Sequence, residues 1–231
     1  MIKGVVLNWE NQHKEDVTRM GASWLCCGWQ GPIYSGLETI CNLDWGNEPK
    51  IPSGNSRYLM GWNEPDCGTI TPLEAAIRWW EVIEPMYATR YILVASAVAH
   101  WDWGWHQEWH KQFRHKYGRW PTYDAVNIHG YSSPSRNVIP EFESALAWVK
   151  QMGKKLWITE YAAVPDPNWT EMQALTEAWR VIGWCLLNDV ERFAWFNTRT
   201  TGKELWTTRT PLFEYDSGIM TAYGKLYASW Q

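Results

Sequence analysis

A chain of 231 residues with 45% hydrophobic and 20% charged side chains can bury a sizeable core, which excludes a disordered or low-complexity protein. The net charge of −4 leaves no basic footprint for nucleic acid, and no apolar run approaches the ~18 residues of a membrane span. Twenty Trp and eleven Tyr exceed what a core needs; such a surplus suits packing or an interface, and equally the stacking of aromatic faces on sugar rings.

The first apolar run, 4–9 (GVVLNW), follows the initiator Met with no leader pattern, so the expectation is an intracellular protein or a secreted one whose leader has been removed. Further short runs rich in β-branched and aromatic residues occupy 23–29 (SWLCCGW), 37–43 (LETICNL), 57–63 (RYLMGWN) and 91–98 (YILVASAV). Three more follow at 123–130 (YDAVNIHG), 155–161 (KLWITEY) and 192–197 (RFAWFN), making eight. Helical patterns separate the later runs: 72–88, entered at Thr71-Pro72; 105–117; 138–152, opening after Asn137 and closing at Gly153; and 169–188. A last helix is predicted over 219–230. Between 10 and 57 the helical signal is weak, which predicts short or degenerate first units. Eight apolar strands alternating with helices predict a small α/β protein, a (β/α)8 TIM barrel with its parallel sheet covered by helices. No Ser/Gly linker or charge run divides the chain, so 1–231 reads as one domain, expected to be a monomer.

The five cysteines (26, 27, 41, 67 and 185) are odd in number and mostly sit in apolar runs, which reads as buried free thiols rather than a disulfide framework. His106 and His110 are spaced i,i+4 on a predicted helix but lack the glutamate of an HExxH site. No metal and no cofactor are expected.

Two acids fall where such a barrel builds its active site, at the C-terminal ends of strands. Glu64 ends the fourth run in "GWNEPD", and Glu160 lies near the end of the seventh in "LWITEYA". Either alone reads most simply as a solvated loop carboxylate. Together, on opposite sides of the ring, they form the pair a retaining glycosidase needs: carboxyls ~5–5.5 Å apart, one acid/base and one nucleophile. Mutual repulsion at that distance keeps one of them protonated. Asn63 is then placed to donate a hydrogen bond to a sugar hydroxyl.

The blocks "LMGWNEPDCGTITPLEAAIRWW", "VNIHGY", "LWITEYA" and "VERFAWF" resemble those of glycoside hydrolase family 128, endo-β-1,3-glucanases of clan A. The resemblance spans about Arg57 to Phe196, and "GVVLNW" and "SWLCCGW" align with the family's first two strands. It implies Glu64 as general acid/base, Glu160 as nucleophile, Asn63 as the amide preceding the acid, and β-1,3-glucan as substrate. Trp62 departs from the more usual "FNEPD", and "NIHGY" from an "HWY"-like end to the sixth strand; both departures leave the glutamates in place and bear on subsite and linkage preference.

Supporting positions follow from strand order. His129 and Tyr131 close the sixth strand beside Glu160, where they can orient it, or simply pack. Trp195, near the end of the eighth strand, fits the floor beneath the reacting sugar, or barrel packing. Trp29, Trp101 and Trp103 follow the second and fifth strands and suit stacking platforms at the mouth. The rival readings are a catalytically silent β-glucan-binding barrel, another clan A β-glycan hydrolase, and a sugar-phosphate isomerase or aldolase. The last wants a Gly-rich phosphate loop, for which "TRTTGKELW" is a poor match.

Overall fold

The computed structural model describes residues 1–7, 13–27, 33–43, 53–68, 70–164, 167–199 and 210–230. Eight parallel strands close into a barrel in sequence order, each overlapping one of the eight apolar runs. They are β1 Ile2–Val6, β2 Trp24–Cys27, β3 Glu38–Leu43, β4 Tyr58–Trp62, β5 Ile92–Val98, β6 Ala125–Ser132, β7 Lys155–Ala163 and β8 Arg192–Trp195. Closure is made by β1 against β8, with Gly4 opposite Ala194. The Trp24 indole packs over Gly4 so closely that a Cβ there would lie 2.2 Å from Cε2, so only glycine fits.

Helices cover the outside. The first, α1 Lys14–Arg19, has six residues, and among the described residues no helix lies between β2 and β3 or between β3 and β4. The predicted helix at 72–88 is continuous but not uniform: α2 Pro72–Arg78 passes through a π-helical turn, Trp79–Ile83, into α3 Glu84–Tyr87. Pro85 lacks an amide for the α ladder, and the wider turn just before it accommodates that gap. Then come α4 Trp105–Tyr117, α5 Ile139–Gln151, α6 Glu171–Leu187 and α7 Ala222–Ser229. Threonines start three of these helices: Thr71 accepts from the Glu74 amide at 3.2 Å, Thr221 from Gly224 at 3.1 Å, and Thr170 forms a capping box with Gln173.

Strand alternation sorts the core into two layers. Val6, Trp24, Cys26, Ile40, Met60, Val94, Ala125, Trp157 and Ala194 fill the barrel interior. Leu25, Leu59, Ile158 and Phe193 face outward into the helix layer. The interior is shut at its lower end by Arg192, paired with Glu38 at 2.7 Å, its guanidinium packed against the rings of Trp24, Tyr58 and Trp157. Above this floor the inward positions turn polar, with Asn42, Asn127, Thr159, His129 and Glu160 buried. His106 and His110 lie in the outer layer, where His106 Nε2 is 2.9 Å from the Ser96 carbonyl and His110 Nε2 is 2.7 Å from the Tyr123 hydroxyl.

Candidate active site

The turn after β4 aims Glu64. Asn63 still bridges to Ala97 of β5, and the Glu64 amide donates to the Ala97 carbonyl at 2.7 Å. Pro65 then opens a 3-10 turn, Pro65–Cys67, which ends at Gly68 with φ 90°. Between strand and turn, Glu64 takes the left-handed conformation, φ 45° and ψ 53°. For a non-glycine residue this costs roughly 1–3 kcal/mol, so the surrounding pairing must hold it. Asp66, left unassigned from sequence, supplies part of that hold: Oδ1 accepts from the Ala99 amide at 2.9 Å and Oδ2 from His100 at 2.8 Å. The loops after β4 and β5 are thereby tied together.

A slip in pairing aims Glu160. Trp157 faces the barrel interior, so strict alternation along β7 would turn residue 160 outward. The β6–β7 ladder instead pairs Ile128 with Ile158 and then His129 with Glu160, leaving Thr159 as an extra residue. This bulge returns Glu160 to the inside. Thr159 hydrogen-bonds inward to Asn127 Oδ1 at 2.5 Å.

The two carboxyls meet at His129. Its Nδ1 lies 2.9 Å from Glu64 Oε1 and 3.5 Å from Glu160 Oε2. One atom from each of these residues falls within 4.8 Å of the others. Such a trio also has the composition of a cation site; here His129 Nδ1 is hydrogen-bonded to Glu64 Oε1. The Tyr131 hydroxyl donates to Glu160 Oε2. Asn42 Nδ2 donates to Asn63 Oδ1 at 3.1 Å. Sequence reasoning missed Asn42, which becomes visible only when β3 is laid beside β4.

The electrostatics follow from this packing. Burial pushes the Glu64 carboxyl up, but the hydrogen bond and charge of His129 outweigh it, and the net is below the ordinary carboxylate value. Glu160 is raised, by burial first and by the charge of Glu64, against the opposing influence of His129 and Tyr131. Burial lowers His129, yet the charge of Glu160 and the bond to Glu64 carry it above the usual imidazole value. In the resting site the proton therefore favours His129 and Glu160 over Glu64.

The aromatic positions divide. Trp103 is 58% exposed at the mouth and stacks on His100 with centroids 3.9 Å apart. Trp101 is not a platform: it is 3% exposed, its indole donates to Ser144 Oγ at 3.2 Å, and its ring packs edge-on against Trp148. The 3-10 turn Trp101–Trp103 rotates the two indoles to opposite sides. Trp195 is not the floor of the cleft either. It points outward, fully buried among Tyr161, Tyr223 and Tyr227, with its N–H on the Thr210 carbonyl at 2.9 Å. Alternation from inward-facing Ala194 gives the cleft position to Phe196, which packs edge-on to Tyr131 at 5.8 Å. That period-2 signal was present in the sequence. Trp29 lies outside the described residues.

The family model described as glycosyl hydrolase catalytic core matches residues 6–227. No curated protein matches the chain by sequence. Among solved structures it is similar to a subgroup II endo-β-1,3-glucanase of glycoside hydrolase family 128 from Sorangium cellulosum, with TM-score 0.74 and 19% identity over 99% of this chain and 98% of that one. It is also similar to a subgroup III curdlan-specific exo-β-1,3-glucanase from Blastomyces gilchristii, with TM-score 0.72 and 22% identity over 99% and 97%. A third is a subgroup VII oligosaccharide-binding protein from Cryptococcus neoformans, with TM-score 0.67 and 20% identity over 99% and 92%.

Proposed function

The chain belongs to the glycosyl hydrolase catalytic-core family, and we propose that it is a retaining endo-β-1,3-glucanase of the family 128 type. One observation carries the reading. Glu64 and Glu160 bring carboxyl oxygens within 4.8 Å of each other and of His129 Nδ1 at the C-terminal mouth of the barrel. That is the short separation of double displacement, not the ~6.5–9.5 Å that leaves room for an inverting water.

Glu160 attacks the anomeric carbon while Glu64 protonates the departing glycosidic oxygen; Glu64 then takes a proton from water, which displaces Glu160 from the sugar. Two features favour this division of roles. The Glu160 side chain is 11% exposed and held by Tyr131, as a fixed nucleophile beneath a ring should be, whereas Glu64 is 31% exposed and can reach a leaving group. The resting protonation runs the other way, and His129 reconciles the two. Its Nδ1, within reach of both carboxyls, can give its proton to Glu64 and then be reprotonated by Glu160 as the sugar enters. Asn63 serves the sugar hydroxyl and Trp103 a flanking stacking subsite.

The similar structures include endo-acting, exo-acting and oligosaccharide-binding proteins, and a carboxyl pair at reacting distance favours hydrolysis over binding alone. Incubation with β-1,3-, β-1,4- and mixed-linkage glucans, with product sizing and NMR of the first-formed anomer, tests the reading. Mid-chain cleavage of β-1,3-glucan to β-anomeric ends is expected. No hydrolysis of any of them, or α-anomeric first products, would overturn it.

A further inference from the structure

Two thiols meet on the outer surface of the sheet, away from the carboxyls. Cys27 closes β2, Cys41 lies directly across the ladder on β3, and their Sγ atoms are 3.3 Å apart. Adjacent strands run ~4.8 Å apart, within the Cα separation a disulfide spans. The inward side chains here are Cys26 and Ile40, so Cys27 and Cys41 face out of the barrel. Among the described residues no helix joins β2 to β3 or β3 to β4. Gly54 packs over Cys41 instead, so closely that a Cβ would lie 3.1 Å from the sulfur.

We propose that Cys27 and Cys41 are a disulfide site, closed when the chain folds under oxidising conditions, where the crosslink ties β2 to β3. One thiolate attacks glutathione disulfide, forming a mixed disulfide and expelling one glutathione. The second protein thiolate then attacks the protein sulfur of that mixed disulfide and expels the other. Two thiol protons and two electrons leave the protein, and one glutathione disulfide becomes two glutathiones. Both thiols are buried, and their hydrogen bond together with that burial holds Cys27 well above the ordinary thiol value, so the finished reduced fold reacts slowly and the bond forms during folding. The loop closed holds about 15 residues, a size at which a crosslink measurably restrains the unfolded chain.

The test has two arms. The denatured, reduced chain is refolded in a glutathione redox buffer, and folded reduced protein is separately incubated with glutathione disulfide and a disulfide isomerase. Thiols are then alkylated and mapped by mass spectrometry. A Cys27–Cys41 bridge is expected in at least one arm, with the other three cysteines alkylated and Tm raised by roughly 5–10 °C over the reduced protein. The double variant Cys27→Ser, Cys41→Ser should fold without that gain. Five free thiols in both arms, a bridge between other cysteines, or a bridge that left Tm unchanged or lower would each overturn the proposal.

Discussion

His129 stands opposite Glu160 in the β6–β7 ladder because the register slips by one residue just before them. Unslipped alternation would turn the Glu160 carboxyl into the helix layer, away from Glu64 and His129. The slip makes one site of two separate strand ends.

Replacing Glu160 by Gln keeps volume and hydrogen bonding but removes the nucleophile. Turnover of β-1,3-glucan should fall at least ~10³-fold, about 4 kcal/mol in barrier, while oligosaccharide affinity and Tm stay close to the parent. Steady-state kinetics with calorimetric binding reads both. Retention of most of the activity would remove Glu160 from the nucleophile's role.

The two carboxyl roles separate by chemical rescue. Glu64→Ala should be crippled on glucan, whose alkoxide leaves poorly, yet keep more of its first step on an aryl glycoside, whose phenolate leaves unaided. Its glycosyl-enzyme should accumulate and be released by azide as the β-glycosyl azide. Glu160→Ala with azide should give the α product, the anion filling the nucleophile's cavity. Exchanged stereochemistry between the two variants would mean that the resting protonation order, and not the geometry, had assigned the roles correctly.

The exposed and buried tryptophans should fail differently. Trp103→Ala should weaken binding of long β-1,3-gluco-oligosaccharides by about 1 kcal/mol, roughly fivefold in Kd, with Tm little changed. Trp29→Ala, two residues beyond β2, is expected to do the same. Trp101→Ala should instead cost roughly 3–5 kcal/mol of stability, because it empties a packed site between α4 and α5. Denaturant midpoints and Kd values measured on all three variants distinguish packing from stacking.

Acid should destabilise the outer layer through His106 and His110. Burial lowers His106 to about 4 and His110 to about 3, the latter helped by the charges of His106 and Lys154, while an unfolded histidine protonates near 6.5. Between those values the unfolded chain binds more protons, so stability falls as pH drops from about 6.5 toward 4, by up to about 1.4 kcal/mol per pH unit for each imidazole. His106→Gln, which keeps a donor for the Ser96 carbonyl, should flatten that slope. Urea midpoints at a series of pH values check it, and an unchanged slope would exclude His106 as the source.

Much of this protein was legible in the sequence, because the signals involved are local. Eight apolar runs, Thr71 before its helix and the break at Gly153 act within a few residues of themselves, so element order and barrel class follow from them. Glu64 and Glu160 stood out by the same logic, as carboxyls at strand ends. What the sequence left open was which way side chains face once strands pair. Trp195 and Phe196, or Trp101 and Trp103, are near neighbours of like chemistry, and only the phase of a strand or the rotation of a turn sends one to the core and the other to the cleft. The Thr159 bulge, the left-handed turn at Glu64 and the meeting of Cys27 with Cys41 depend on partners far along the chain. Register is a property of two strands at once, so no single strand's sequence specifies it, and here only closure of the barrel decided it.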